Sequence, residues 1–430
     1  MNFLLHISIR SNKMYCRIAL LMFFVSVQYF AHAQHTDYVD SSQTQILADT
    51  GKSYLIPDVK SRRWAKTGNR FFTFQLGFVP ILDYNLNLQD NDSKTQVGEQ
   101  ESRFDIRSLR VMGRGKINFK RPWSYLISVE YRGLDRTEDM NPFGLTDFKI
   151  VVPLSKHSEL AFGKIKETFA YEMVGDAANL PPMERLLNPF FNSRSNGIVY
   201  RHFFANDRLT FSGGWFNKWP GNGKSLSESA NTFTARVTGL PKWEQNGKQF
   251  MHSAIAFRYV EAENGVIRLK GKNESNVSTN YVDTKDFAAS HQMNLGIEQL
   301  WSLENFSVLF EYIHNWTATP TGTEQFRGYY ATFSYILSGE QRPYDKKAAY
   351  ARRVKPDGKS GAFELWTRFG RVNLNSHEIL GGINNRYTSG LNWWATQYWK
   401  AGISYGISNL FKDDLVGITN TIQFRIQWVL

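Results

Sequence analysis

Residues 72–88, FTFQLGFVPILDYNLNL, place an apolar side chain at every second position from Phe72 to Leu88. The positions between them include Thr73, Gln75 and Asp83. Successive side chains of a β-strand point to opposite faces, so one face of this segment is continuously apolar and the other is largely polar. The segment is also much longer than the usual soluble strand of about 5–6 residues. It therefore predicts a strand long enough to cross a membrane.

The last segment of the sequence repeats the pattern. Ile422, Phe424, Ile426, Trp428 and Leu430 alternate with polar residues. An amphipathic strand with a free edge is prone to aggregation, whereas a barrel pairs its last strand with its first. We expect these two segments to pair, and the ending resembles the signal recognised by outer-membrane barrel assembly.

Composition narrows the class of protein further. The chain has 430 residues with 12 Trp, 20 Tyr and 32 Phe, yet its mean hydropathy is negative. Apart from residues 18–27 it has no long apolar run, which excludes a helical membrane protein. Alternating barrel strands average to a polar-looking sequence. A soluble β-sandwich is the alternative, but the strands are long and the aromatic residues too numerous for one sandwich core.

The predicted fold is all-β, a transmembrane antiparallel β-barrel of sixteen strands, with eighteen remaining possible. Only a closed barrel supplies every strand with backbone partners in hydrocarbon. If both chain ends lie in the periplasm, the strand count must be even. Residues 266–272 are assigned to an extracellular hairpin excursion. The predicted strands start near Phe71, Arg103, Trp123, Leu145, Glu159, Asn196, Arg208, Asn231, Phe250, Ala289, Asn305, Arg327, Gly361, Arg386, Tyr398 and Ile418.

The N-terminal residues have the features of an export signal. Basic residues precede the apolar run 18–27, and a small-x-small motif ends at Ala33. We expect a signal peptide at residues 1–33, a periplasmic extension at residues 34–69 and the barrel at residues 70–430. Translation starts at Met1 or Met14. Cleavage removes Cys16, the only cysteine, so neither a disulfide nor a cysteine-based site is predicted.

Several motifs resemble the phosphate-selective porin O and P family of Gram-negative outer membranes. They cover residues 328–330, 337–344, 361–368, 390–394 and 423–427, with sequences GYY, LSGEQRPY, GAFELWTR, GLNWW and QFRIQ. The resemblance implies a sixteen-stranded barrel, a homotrimer, and a loop after the fifth strand that folds inward to narrow the pore. In this sequence that loop corresponds to residues 168–193.

A porin requires a wet lumen whose charges favour one sign of ion. A shift in the alternation near Ser108 predicts a bulge that turns Arg110, Arg114 and Lys116 inward. Arginine suits oxyanions because its planar fork donates two parallel hydrogen bonds. The candidate pore-lining and anion-binding residues are Arg107, Arg110, Arg114, Lys116, Lys164, Lys166, Arg185, Arg194, Arg201, Arg236, Arg258, Arg368 and Arg425.

Acidic residues are predicted to face the lumen as well. We therefore expect most of these cations, taken singly, to pair across adjacent strands in preference to binding ions. The inward-facing acidic residues are Asp83, Asp105, Glu130, Asp147, Glu298, Glu311 and Glu364.

The predicted function is an outer-membrane diffusion channel for small anions, phosphate-like oxyanions foremost. The alternative is a channel or binding protein for neutral solutes such as sugars. An energy-driven receptor is disfavoured because it needs a plug domain before the barrel. No enzymatic motif, cofactor or metal site is predicted. The expected partners are outer-membrane lipid, small anions and two further copies of the chain; a nucleic-acid partner is not expected, because the basic residues are dispersed.

Overall fold

The computed structural model describes residues 66–131, 143–217 and 229–430. Its wall contains sixteen strands, labelled β1 to β16. They are β1 Phe72–Gln89, β2 Arg103–Ile117, β3 Trp123–Tyr131, β4 Phe143–Pro153, β5 Ser158–Ile165, β6 Ser195–Phe204, β7 Leu209–Asn217, β8 Ser229–Glu244, β9 Gln249–Ala262, β10 His291–Leu303, β11 Phe306–Thr319, β12 Gly322–Ile336, β13 Ala362–Ser376, β14 Ile379–Trp394, β15 Trp399–Lys412 and β16 Leu415–Trp428.

The wall closes on itself. Each strand pairs antiparallel with the next, and β1 also pairs with β16, from Ile81 opposite Gln427 to Gln89 opposite Thr419. The backbone N–H of Leu430 donates to the carbonyl oxygen of Phe78 at 2.9 Å. The predictions of a closed barrel, of sixteen strands and of pairing between the first and last strands are therefore confirmed. We call the rim that carries Phe72 and Leu430 the terminal mouth and the opposite rim the loop mouth.

Most predicted strand starts lie within a few residues of those observed, but two were placed too late. β12 begins at Gly322 and not near Arg327, and β14 begins at Ile379 and not near Arg386. The connections before them are the tight turns at residues 320–321 and 377–378. These strands continue beyond the apolar band, where both faces carry polar residues and the alternation that marks a strand is lost.

Side-chain orientation follows the predicted alternation. On β9, Ile255 and Phe257 are 54% and 40% exposed on the outer face, whereas Ala256 and Arg258 are buried inside. The outer face is thus apolar, as contact with lipid requires. Within the described ranges, no helix has the length and hydropathy to span a bilayer.

Three connecting segments fold into the lumen. The constriction loop, residues 166–194 between β5 and β6, contains the short helix Tyr171–Val174 and the 3-10 turns Ala177–Asn179 and Asn188–Phe190. The second inner loop is residues 263–290, between β9 and β10. The long turn is residues 337–361, between β12 and β13 at the terminal mouth. The predicted inward fold of the constriction loop is confirmed.

The second inner loop corrects the assignment of residues 266–272. They lie outside the wall sheet, as predicted, in the small ladders Val266–Ile267 with Phe287–Ala288 and Lys270–Lys272 with Asn280–Asp283. The loop does not project outward as a hairpin, however. Its tip crosses the lumen, where Asn276 donates to Asp105 of β2 at 2.6 Å. Its apolar residues Leu269 and Tyr281 are fully buried there, which outward projection would not allow.

An apolar core lies inside the barrel, between these segments and the wall strands from β8 to β15. Leu187 and Phe190 of the constriction loop pack against the inner face of β12. Gly328 makes this approach possible, because a Cβ there would lie 2.7 Å from side-chain atoms of both residues. One half of the lumen is therefore packed, and open space is left beside the first half of the wall.

The remaining elements are short. The helix Asn91–Val97 follows β1 and is capped by Asp90, whose carboxylate accepts from the Ser93 N–H at 2.8 Å. A 3-10 turn, Gln245–Gly247, joins β8 to β9, and Tyr344–Asp345 pairs with Tyr350–Ala351 within the long turn. Lys66–Gly68, the end of the predicted extension, pairs with β1. The predicted signal peptide and residues 34–65 lie outside the described residues.

The wall predicts a one-sided response to charge. Ile255→Lys puts an ammonium group against hydrocarbon near mid-wall and should lower the free energy of unfolding by about 2–4 kcal/mol. Ser124→Lys, on the lumen side of β3, is the control and should change it little. Urea titration in lipid vesicles measures both. Equal destabilisation by the two substitutions is incompatible with this orientation of the wall.

Candidate functional site

A cavity of about 1320 Å³ extends from the terminal mouth to the constriction loop. Its walls are the inner faces of β1 to β8, the constriction loop, the long turn and the C-terminal end of the chain. It occupies the half of the lumen that the apolar core leaves open. The predicted bulge shapes it, because Ile81 pairs with Ser108 and Leu82 with Ile106, so that Arg107 is the extra residue in β2. From Ser108 onward the basic residues of β2 face inward.

The cavity lining carries a large excess of positive charge. Among the described lining residues, the acidic ones are Glu130, Asp147, Glu167, Asp176 and Asp345. The basic ones are Lys66, Arg107, Arg110, Arg114, Lys116, Lys149, Lys166, Arg185, Arg194, Arg201, Arg236, Lys347, Arg352, Arg353, Lys355 and Arg425. A narrow channel with one predominant sign of charge concentrates ions of the opposite sign.

Ten of the thirteen candidate residues line this cavity. Lys164, Arg258 and Arg368 do not. Lys164 donates to the carbonyl oxygen of Leu145 at 2.7 Å, and Arg258 binds Glu167 at 2.5 Å. Arg368 lies on the packed side, between Glu172 and Glu274.

Sequence reasoning missed the basic residues of the long turn. Lys347, Arg352, Arg353 and Lys355 line the cavity because the turn folds back into the barrel. The signal was present, since this connection is unusually long and basic for the side of the barrel that carries the chain ends. Lys149 and Lys66 were missed as well.

Most candidate cations contact carboxylates, but the predicted pairing across adjacent strands accounts for only some of these contacts. Pairs between adjacent strands are Arg110 with Glu130 at 2.6 Å and Arg425 with Asp83 at 2.6 Å. Arg201 pairs with Glu159 at 2.8 Å in the same way. These pairs neutralise part of the wall and leave the surplus of cations to set the field.

Other pairs join the wall to the constriction loop, which strand patterning could not reveal. Glu184 of the loop contacts Arg107 at 2.7 Å and Arg425 at 2.6 Å. Burial acts to raise the pKa of Glu184, but the two arginines outweigh it and hold that pKa well below its ordinary value. Glu184 therefore stays ionised and fastens the loop to β2 and β16.

Glu311 of β11 provides a second anchor. Its carboxylate accepts from the backbone N–H of Tyr171 at 2.6 Å and of Glu172 at 3.3 Å. The Tyr330 hydroxyl donates to it at 2.8 Å. Glu172 in turn accepts from the N–H of Leu187 at 3.1 Å and from Arg368 at 2.9 Å. The start of the constriction loop is thus fixed against β11 to β13.

Two cations of the constriction loop face the cavity, and they differ in their hydrogen-bond partners. Arg185 donates to the carbonyl oxygens of Glu172 at 2.5 Å and Gly175 at 3.3 Å and, among the described residues, has no carboxylate in ion-pair contact. Lys166 pairs with Asp176 at 2.8 Å. Burial lowers the pKa of Lys166 to about 8, against the opposing effect of Asp176 and with Arg194 and Arg185 adding to the shift. Within the described ranges no cluster of His, Cys, Asp and Glu is arranged to hold a metal ion.

A closed wall with an apolar outer face and a charge-lined lumen is the architecture of an outer-membrane porin. The sequence profile of the family described as "Phosphate-selective porin O and P" matches residues 74–409. This match covers most of the sequence, and the chain belongs to that family. It is a multi-pass protein of the Gram-negative outer membrane, and its family and fold are those of channels and not of enzymes.

The chain is also similar to a curated relative and, in fold, to several solved structures. Porin O of Pseudomonas aeruginosa is 26% identical over 149 residues, 30% of this chain and 34% of that protein, so the match spans about a third of the curated relative. OmpF of Salmonella typhi, in complex with daunomycin, has a TM-score of 0.55 at 10% identity and covers 84% of this chain and 100% of its own. An anion-selective porin from Comamonas acidovorans has a TM-score of 0.52 at 9% identity, covering 84% and 100%. The trimer form of OmpT from Vibrio cholerae has a TM-score of 0.50 at 10% identity, covering 83% and 99%. At these identities the structures show a shared fold.

The Glu311 anchor predicts a gating phenotype. Glu311→Ala leaves buried N–H and hydroxyl donors without an acceptor, at a cost of about 1–3 kcal/mol each, and should loosen the constriction loop. Single-channel recordings should show a higher conductance with more current noise. The control is Glu159→Ala, which removes a lumen carboxylate that does not touch the loop. A Glu311→Ala channel as quiet as the control contradicts the anchoring role.

The pKa of Lys166 predicts a pH dependence. Its ammonium group is charged below a pKa of about 8 and neutral above it. The anion-over-cation permeability ratio should therefore fall as the pH rises from about 7 to about 9. Reversal potentials measure the ratio. Lys166→Gln should diminish this fall of the permeability ratio with pH, whereas Lys116→Gln, which removes another cavity lysine, should retain it. If Lys166→Gln shows the same fall as the wild type, Lys166 is not its cause.

Proposed function

We propose that the chain is an anion-preferring diffusion channel whose favoured solutes are small oxyanions such as phosphate. The observation that carries the proposal is the surplus of basic over acidic residues lining the cavity. A unit charge about 10 Å from a permeating ion changes its energy by about 0.4 kcal/mol even in bulk water. Several unneutralised cations acting together therefore favour anions substantially.

The arrangement of the cations is suited to the passage of anions and not to their tight binding. The cavity cations are spread from Lys116 near the terminal mouth to Arg185 of the constriction loop. Many share their donors with nearby carboxylates, which weakens any one anion contact. Several weak sites in series allow an ion to be handed along, whereas one tight site would stop the flux. Arginine forks match the oxygen spacing of phosphate.

The comparisons support the same solute class. Porin O belongs to a family described as phosphate-selective, and the Comamonas acidovorans protein is described as anion-selective. We further propose a homotrimer, in keeping with the trimer form of OmpT. We also propose that both chain ends face the periplasm, because most connections at the terminal mouth are short, as periplasmic turns are. The loop mouth then opens to the outside.

The second candidate function is a channel for neutral solutes such as sugars. Such channels use aromatic side chains as a sliding surface, and aromatic residues are few in this cavity, where Phe74, Tyr125, Tyr350 and Tyr398 are the described ones. Swelling of proteoliposomes in isotonic phosphate and in neutral sugar separates the two functions. Faster entry of phosphate is expected, and faster entry of a sugar of similar size favours the alternative.

Removing lumen arginines should reduce the anion preference. Arg110→Gln with Arg114→Gln removes two cavity cations and releases Glu130 from its ion pair. Each removed charge disfavours anion entry roughly twofold and favours cation entry, so the anion-over-cation permeability ratio should fall at least about fourfold. Arg327→Gln makes the same change on the outer face and is the control. Reversal potentials in planar bilayers measure the ratio, and an unchanged value for the double variant contradicts the assignment.

A further inference from the structure

Two arginines lie on the outer face of the wall near the loop mouth, next to a mid-wall surface that is mainly apolar. Arg327 of β12 is exposed and Arg371 of β13 is half-buried. Arg327 pairs with Asn373, and Arg371 with Tyr329, so the arginines are diagonal neighbours on one face. Such neighbours have Cα atoms about 7–8 Å apart. Asn385 of β14, opposite Arg371, lies beside them.

Their height on the barrel is fixed by aromatic rows. Tyr335, Phe363 and Trp393 form a row near the terminal mouth on the same three strands. The same number of residues separates Arg327 from Tyr335, Arg371 from Phe363 and Asn385 from Trp393. This separation corresponds to about 20 Å along the barrel axis for a rise of about 3.3 Å per residue and a tilt of about 40°.

A second aromatic row lies just below the arginines. The Phe369 ring centroid is 6.0 Å from that of Tyr329 and 4.9 Å from that of Tyr387. Beyond the arginines, towards the loop mouth, the outward positions of β12 and β13 are polar, namely Thr323, Gln325, Asn373 and Asn375. The apolar band of such barrels is about 25 Å tall. Long arginine side chains extend towards the nearer polar layer, which places the guanidinium groups among the lipid headgroups at the loop mouth.

The charge at this position has no counterpart among the residues that the structure describes. Among the described residues, neither guanidinium has an ion-pair partner. Two like charges placed as diagonal neighbours repel each other. At the edge of hydrocarbon, where solvation by water is incomplete, an external anion is the natural compensation. Paired arginine forks are suited to the oxygens of a phosphate group.

We infer that Arg327, Arg371 and Asn385 form a binding site for a phosphate group of an outer-leaflet glycolipid of the lipid A type. The two guanidinium groups bind the phosphate, the Asn385 amide lies within the same patch, and the aromatic row Tyr329, Phe369 and Tyr387 packs against the acyl chains. The site rests on the placement of the loop mouth at the cell exterior. It faces away from the lumen and is independent of the channel's ion preference.

Native mass spectrometry with defined lipids tests the site. The purified channel in detergent is titrated with lipid A carrying its phosphates and with dephosphorylated lipid A. The wild-type protein should prefer the phosphorylated form. Arg327→Gln with Arg371→Gln should weaken binding of that form at least about tenfold, as expected for two charges at a lipid surface, and leave the dephosphorylated form unchanged.

Arg103→Gln is the matched control. It makes the same change at the same mouth, but Arg103 is already paired with Glu101 at 2.7 Å. It should bind phosphorylated lipid A like the wild type. Heat-modifiable gel mobility and unchanged conductance establish that the variants are folded, and each single substitution should give an intermediate loss.

Any of three results would overturn the inference. The first is that the double variant binds phosphorylated lipid A as well as the wild type does. The second is that it loses both lipid forms equally, because the phosphate is then not what is recognised; the third is that it dissociates into subunits, because the patch is then a contact between copies. None of these results bears on the ion preference, which the lumen variants test separately.

Discussion

The structure depends on satisfying backbone hydrogen bonds where no water is available. A strand surrounded by hydrocarbon must find partners for its N–H and C=O groups in neighbouring strands, and only a closed ring leaves no edge unpaired. The pairing of β1 with β16 provides this closure. Once the ring is closed, the period of two along each strand sends one set of side chains to lipid and the other to the lumen.

The lumen is then shaped by loops held with buried charge. Glu184, Glu172 and Glu167 of the constriction loop each contact a wall arginine. Buried ion pairs contribute little net stability, because desolvation offsets their attraction, but breaking one leaves an uncompensated charge. Their effect here is positional. They fix the constriction loop in place. Because the acidic residues of the loop are paired with wall arginines, the charge that faces the cavity is mainly that of the remaining cations.

The features that the sequence predicts are those fixed by local alternation. Strand count, closure and the bulge at Arg107 follow from period-two patterning, because lipid contact selects for it along every strand. The inward orientation of Arg110 and Arg114 on β2 follows from the same pattern. Beyond the apolar band both faces of a strand carry polar residues, so alternation no longer marks the strand. The predicted starts of β12 and β14 are therefore too late in the sequence.

Features that depend on contacts distant in sequence were not predictable. The crossing of the lumen by the second inner loop requires Asn276 to meet Asp105, and the anchoring of the constriction loop requires Glu311 to meet Tyr171. Neither pairing leaves a local pattern.

The reversal potential of the wild-type channel under a potassium chloride gradient tests the central claim most directly. The surplus of lumen cations predicts the sign of an anion-preferring pore, and a potential of zero or of the opposite sign contradicts it.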